Sequence, residues 1–129
     1  MSAARQRRRA RFERQSLLDA ANMYPIRYRQ GNDLFDLKTT AEFDEWLASL
    51  KDRVGKAKIT SRLQRLELGN AGDHAPVGEG VSELRVHSGP GYRVYCKQTD
   101  KTIIVILCGG DKSTQDKDIK RAKEVAAEL

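Results

Sequence analysis

No apolar stretch of this sequence is long enough to cross a bilayer: the longest uninterrupted run is Ile103 to Cys108, against the roughly 20 residues that a membrane helix needs. Nothing near Met1 offers the apolar segment of a secretory signal, so a soluble, cytoplasmic protein with no membrane partner is expected. Cysteine is scarce. The two present, Cys96 and Cys108, lack metal-ligand spacing and fall in strand-like stretches, where a thiol serves as a small apolar filler. Neither a disulfide nor a zinc site is expected, and no cofactor is implied. Nucleotide hydrolysis is excluded as well. In "GGDKST", residues 109–114, Asp111 replaces the Gly that precedes the lysine of a phosphate-binding loop, and no Gly lies five residues ahead of it.

What is present fits one domain. A chain of 129 residues can bury a single core but not two independent ones. Its net charge of +6 is unevenly spread. Residues 1–33 hold eight arginines against three acids (Glu13, Asp19 and Asp33), net +5, whereas residues 34–129 hold sixteen cations against fifteen acids, net +1. The body is nearly neutral, so any nucleic-acid contact there must come from a local patch rather than from the overall field. Residues 1–33 are a separable basic arm, flexible or partly helical. Composition favours a leader, with Met23 as a candidate start, over an RNA-binding arm.

From Leu34 the pattern tightens. Phe35 and Leu37 alternate with Asp36 and Lys38 as a short strand does. Thr39 and Glu42 have the spacing of a capping box, and Phe43, Trp46, Leu47 and Leu50 form one apolar helical stripe. After a break around Gly55, the stripe resumes at Ile59, Leu63 and Leu66 and stops at Gly69, the place of a left-handed cap. A helical hairpin is predicted. "GNAGDHAPVGEG", residues 69–80, reads as a surface loop, and its His74 has no neighbouring ligand or base and receives no role. The unbroken run "TIIVILC" suits a central strand covered on both faces. Beyond it, Ser113 and Asp116 resemble a second capping box ahead of a last helix with apolar Ile119, Ala122, Val125, Ala126 and Leu129.

The chemistry concentrates in "ELRVHSGPGYRVYCK", residues 83–97. Leu84 and Val86 alternate with Arg85 and His87; Val94 and Cys96 alternate with Arg93, Tyr95 and Lys97. For both apolar sets to face one core, residues paired across the hairpin must sum to an even number, as with His87 opposite Arg93. That leaves a three-residue loop centred on Pro90, with Gly91 at positive φ. One face is then apolar, and the other gathers Arg85, His87, Arg93 and Tyr95. Such a face suits cleavage of an RNA phosphodiester by its own 2′-hydroxyl: arginines grip the phosphate, histidine moves a proton near neutral pH, and tyrosine stacks a base. The candidate catalytic set is Arg93, Arg85, His87 and Lys112; Tyr95, Lys97 and Ser113 are the candidate RNA contacts. The same face also suits docking of an acidic protein segment.

The element order β-α-α-β-β-β-α, with "LELGN", "GVSELRVHSGPGYRVY" and "LCGGDKSTQDKDIKRAK", resembles the RelE/ParE superfamily of type II toxins, in its HigB-like, phage-derived branch. The resemblance runs from about Leu34 to the C-terminus. It implies an α+β RelE-like fold, a small mostly antiparallel sheet packed against a helical hairpin and a C-terminal helix. It also implies a toxin paired with a cognate antitoxin, and a metal-independent endoribonuclease acting on mRNA, usually at the ribosome. Arg93 matches the family's phosphate-contacting arginine. Arg85 and His87 occupy positions where the family places cationic residues, and Lys112 matches a basic position after the last strand. The sequence departs in having no Tyr or His after Tyr95, where many RNA-cleaving relatives place one. That leaves His87 as the histidine on the cationic face. It also keeps open the alternative of a ParE-like, non-enzymatic inhibitor of DNA gyrase or another host protein.

Overall fold

Why the last strand ends in two consecutive glycines is answered by what packs on each side of it. In the computed structural model, which describes residues 34–129, a Cβ on Gly109 would run into the Trp46 indole, and one on Gly110 into the Asp118 carboxylate. The two residues lie on opposite faces of a sheet, one under a helical hairpin and the other under the C-terminal helix. The basic arm, with Met23, lies outside the described residues.

Five strands form the sheet: β1 (Asp36–Thr39), β2 (His74–Gly78), β3 (Val81–Val86), β4 (Tyr92–Gln98) and β5 (Ile103–Asp111), in the order β1-β5-β4-β3-β2. β1 runs parallel to β5, and all other pairs are antiparallel. Helices α1 (Ala41–Ser49) and α2 (Arg53–Glu67) cover one face, and α3 (Gln115–Ala127) follows a single 3₁₀ turn (Lys112–Thr114) onto the other. The expected α+β architecture is present, with one strand more than expected. Residues 74–78, expected within a surface loop, instead pair with β3 as an edge strand. Pro76 is tolerated there because an edge strand leaves one side unpaired, and a register shift falls between Pro76 and Gly78.

Helix boundaries also differ in detail from the sequence reading. Thr40, not Thr39, caps α1: its Oγ1 accepts from the Phe43 amide at 3.0 Å. Gly55 lies inside α2 and does not mark the break; Asp52 caps that helix by accepting from the Gly55 amide at 3.0 Å. Gly55 is required because a Cβ there would strike the Tyr92 ring. Gly69, at φ +86°, takes the left-handed position expected beyond α2.

Burial follows the strand period. Ile104, Ile106, Val94, Cys96, Leu84 and Val86 join Phe43, Ile59 and Leu66 beneath the helical hairpin. Ile103, Val105, Leu107, Tyr95 and Val81 join Ala122, Val125 and Ala126 beneath α3. Each fully buried aliphatic side chain contributes about 1.5–3 kcal/mol. The alternation slips once. Tyr95 pairs with Cys108 but Cys96 with Ile106, so Leu107 is the extra residue of a bulge, and Thr40 Oγ1 donates to its carbonyl at 2.7 Å. Both cysteines are buried, and burial pushes each thiol up to about 12.

Candidate functional site

Antiparallel pairing of β3 with β4 sets Arg85 directly opposite Arg93, and Glu83 opposite Tyr95. The pairing sum is even, as both apolar sets require, but the register differs from the expected one by two residues: Arg93 pairs with Arg85 and not with His87, and the ladder ends at Val86 opposite Tyr92. His87 therefore lies outside the ladder, in a five-residue loop closed by the Gly91 amide donating to the Ser88 carbonyl at 2.9 Å. The three-residue loop is corrected accordingly. Gly89 and Gly91 both take positive φ, +52° and +83°, so the loop needs two left-handed positions where the expected one needed a single glycine.

Two guanidinium groups opposite one another repel unless an anion stands between them. Glu83 provides it. Fully buried, its Oε1 accepts from Arg85 Nε at 3.2 Å and lies 3.7 Å from Arg93 Nε. Its Oε2 accepts from Tyr95 Oη at 3.1 Å and from Gln115 Nε2 at 2.8 Å. A carboxylate out of water is tolerated when paired and fully hydrogen-bonded, and here four side chains converge on it. Arg93 is 9% exposed; its Nη1 donates to the carbonyls of Tyr92 (3.2 Å) and Gly91 (3.4 Å), and its Nε has no hydrogen-bond partner. The face expected to be cationic and aromatic is thus an ionic network around a buried acid.

At the hairpin end, His87 shares a 2.6 Å hydrogen bond through Nε2 with Asp73 Oδ2, and Arg85 Nη1 lies 3.8 Å from Asp73 Oδ1. The hydrogen bond from His87, with the Arg85 charge behind it, holds the Asp73 carboxyl below the usual carboxylate range. The His87 side chain is 73% exposed. On the opposite flank, the Lys112 amide donates to the Gly91 carbonyl at 2.9 Å, which fixes the start of the 3₁₀ turn beside Arg93 and leaves the lysine side chain in solvent. Arg85, Arg93, His87 and Lys112 therefore occupy one end of the sheet.

The three expected RNA contacts are placed differently. The Tyr95 ring has no exposed surface; burial and the Glu83 charge push its hydroxyl up. It positions Glu83 and presents no face for a base, which corrects its expected stacking role. Lys97 is four residues beyond Arg93, roughly 13 Å along an extended strand. Its ammonium is lowered by burial, with Glu79 opposing, so the lysine is apart from the arginines. Ser113 is exposed, but both its amide (2.8 Å) and its hydroxyl donate to Asp111 Oδ1. The cap of the 3₁₀ turn is Asp111, and the expected Ser113–Asp116 capping box does not form. His74, given no role, bonds the Gly72 carbonyl at 2.8 Å. Sequence reasoning missed Glu83, Asp73 and Gln115. Of these only Glu83 left a signal, since it stands two residues before Arg85 on the same strand face.

Residues 45–129 match the phage-derived Gp49-like protein family. The chain belongs to that family. An uncharacterized protein of Haemophilus influenzae is 55% identical to this Gp49-like chain over 93 residues, 72% of the chain and 94% of the relative. Among solved structures, a double mutant of Escherichia coli toxin RelE in the free state superposes with a TM-score of 0.58 at 12% identity. The match covers 74% of the Gp49-like chain and 99% of the RelE chain. The fold is that of RelE. No helix among the described residues is long and apolar enough to cross a membrane.

Proposed function

We propose that this Gp49-like protein is the toxin of a type II toxin-antitoxin pair, of the HigB-like kind, and that it cleaves mRNA without a metal, at the ribosome, so arresting translation in the cytoplasm. One observation carries the reading: Arg85 and Arg93 face each other across β3 and β4 with a histidine–aspartate couple at one end and a free lysine at the other. Glu83 engages the arginines through Nε and each Nη1 faces another acceptor, which leaves the Nη2 groups for a phosphate. In the proposed step, the 2′-hydroxyl oxygen attacks the adjacent phosphorus as the P–O5′ bond breaks, giving a cyclic phosphate and a free 5′-hydroxyl. With the Nε2 proton shared with Asp73, His87 Nδ1 accepts the 2′-hydroxyl proton. Arg93 and Arg85 stabilise charge on the equatorial oxygens, and Lys112 assists at the departing 5′-oxygen and supplies its proton. A cognate antitoxin is the expected protein partner.

The test maps 5′ ends of cellular RNA after brief induction. Wild type should create new ends. Arg93→Lys, which keeps the charge beside Glu83 but loses the planar fork, and His87→Gln should each reduce cleavage about 100-fold or more, with cooperative unfolding retained in both and the midpoint unchanged in His87→Gln. Undiminished cleavage by Arg93→Lys removes the assignment. A second reading has its own support: among the described residues no exposed aromatic ring flanks the arginines, and α3 carries neither Tyr nor His. A non-enzymatic inhibitor of gyrase needs neither. It predicts intact transcripts and reduced supercoiling by purified gyrase.

A further inference from the structure

A second electropositive recess lies between α2 and the end of β3. It is an open groove of about 290 Å³ lined by Lys58, Ser61, Arg62, Arg65, Val86 and His87. Positions 58, 61, 62 and 65 recur at helical spacing, so one side of α2 presents them together. No carboxylate lines the groove. Lys58 and Arg65 are exposed, whereas Arg62 is 8% exposed. The Arg62 Nη groups hold the carbonyls of Arg85, Ala71 (2.7 Å) and Asp73 (3.0 Å), and its Nε is buried without a partner. The Arg62 guanidinium packs against Gly72, so it holds the loop, and the exposed Lys58 and Arg65 carry the accessible charge of the groove.

The groove also shares a wall with the arginine cluster. His87 lines it, bonds Asp73, and through Asp73 adjoins Arg85. Cationic groups therefore recur from Lys112 past Arg93 and Arg85 to His87 and along α2, with the carboxylates of Glu83 and Asp73 each held between two of them. We propose that this groove holds the phosphates of the single-stranded RNA that flanks the cleaved bond, so that the strand crosses the hairpin end and continues along α2. This rests on the RNA-cleavage reading and adds the path of the substrate to it. An acidic segment of a protein partner would meet the same cations, and the test below separates it from RNA.

The test is fluorescence anisotropy with 2′-O-methyl RNA, which has no nucleophile, in probes of about twelve and about three nucleotides, the longer reaching both regions and the shorter only one. Lys58→Ala/Arg65→Ala, both surface positions, should bind the longer probe about tenfold more weakly. Its logarithmic salt dependence should be shallower by about 1.4, or 0.7 for each lost phosphate contact, with the short probe unaffected. Unchanged affinity and salt dependence on the longer probe overturn the proposal, as does an equal loss on both probes. If the double variant keeps its RNA affinity but loses binding to a poly-glutamate peptide, the groove serves an acidic protein segment and the proposal fails. If wild type binds neither probe, the RNA reading itself falls. If Arg93→Lys weakens binding and the double variant does not, only the groove assignment falls.

Discussion

Two tyrosines three residues apart on β4 each donate a hydrogen bond to a carboxylate, on opposite faces of the sheet and with opposite consequences. Tyr92, under the helical hairpin, reaches Asp52 at 2.9 Å. Its ring is edge-on to Trp46 at 6.2 Å, and its partner also caps α2. Tyr95, under α3, reaches Glu83 at 3.1 Å inside an ionic network with Arg85, Arg93 and Gln115. The first pair serves a helix start and the hairpin loop packed beside it, at a half-buried margin. The second holds a charge with no exposed surface, on which the placement of both arginines depends. The same two functional groups thus act as a local clamp on one face and as the counter-ion support of the candidate site on the other.

Removing the acids exposes this difference most strongly. Glu83→Ala leaves two facing guanidinium groups without their anion, and Tyr95 and Gln115 without an acceptor. Loss of one partner from a buried charge network costs about 3–5 kcal/mol, so urea unfolding should show a loss of that order, and a loss under about 1 kcal/mol would mean that water or another group compensates the arginines. The hydroxyls give a finer comparison. Tyr95→Phe leaves Glu83 one bond short in a dry site and should cost about 2 kcal/mol, whereas Tyr92→Phe removes a bond whose acceptor keeps the Gly55 amide and should cost about 1 kcal/mol. Equal values for the two would remove the distinction between the faces.

The smallest effect is pH dependence at Asp52. The Gly55 amide, and then the Tyr92 hydroxyl, hold its carboxyl below the usual range. A depressed folded-state value means that the stabilisation is present above the ordinary carboxylate value of about 3.9 and is lost as pH falls through the lower, folded-state value. Thermal unfolding from pH 6 downward should therefore show a decline that Asp52→Asn makes shallower, with the Asp73 carboxyl, lowered by His87, contributing in the same direction. An identical decline in the Asp52→Asn protein would assign the acid sensitivity elsewhere.

Much of this architecture is legible in the sequence because it depends on period. The alternation in residues 84–86 and 93–96 demands an even pairing sum, and that alone puts Arg85 and Arg93 on one face. The stripes from Phe43 to Leu66 and from Ile119 to Ala126 give the helices. Period does not choose between two registers of the same parity. Val86 opposite Tyr92 and His87 opposite Arg93 satisfy the same parity, and the choice was made by Gly89 and Gly91 both adopting positive φ and by the packing of the loop beside Asp52. Period is also silent on pairs between distant segments. Asp73 meets His87 only because residues 74–78 form a strand, and their Pro and Gly content hid that strand. Gln115 meets Glu83 only through the docking of α3. Tyr95 falls on the expected face, but whether its ring meets solvent or a helix depends on what lies above the sheet.

Gln115, at the first position of α3, also ties a helix to a charge. Its side-chain amide donates to Glu83, 32 residues earlier in the sequence, so the docking of α3 and the saturation of the buried acid are one event. Any motion that lifts the start of that helix from the sheet strips the acid of a donor, and the order of α3 and the poise of the two guanidinium groups are therefore coupled.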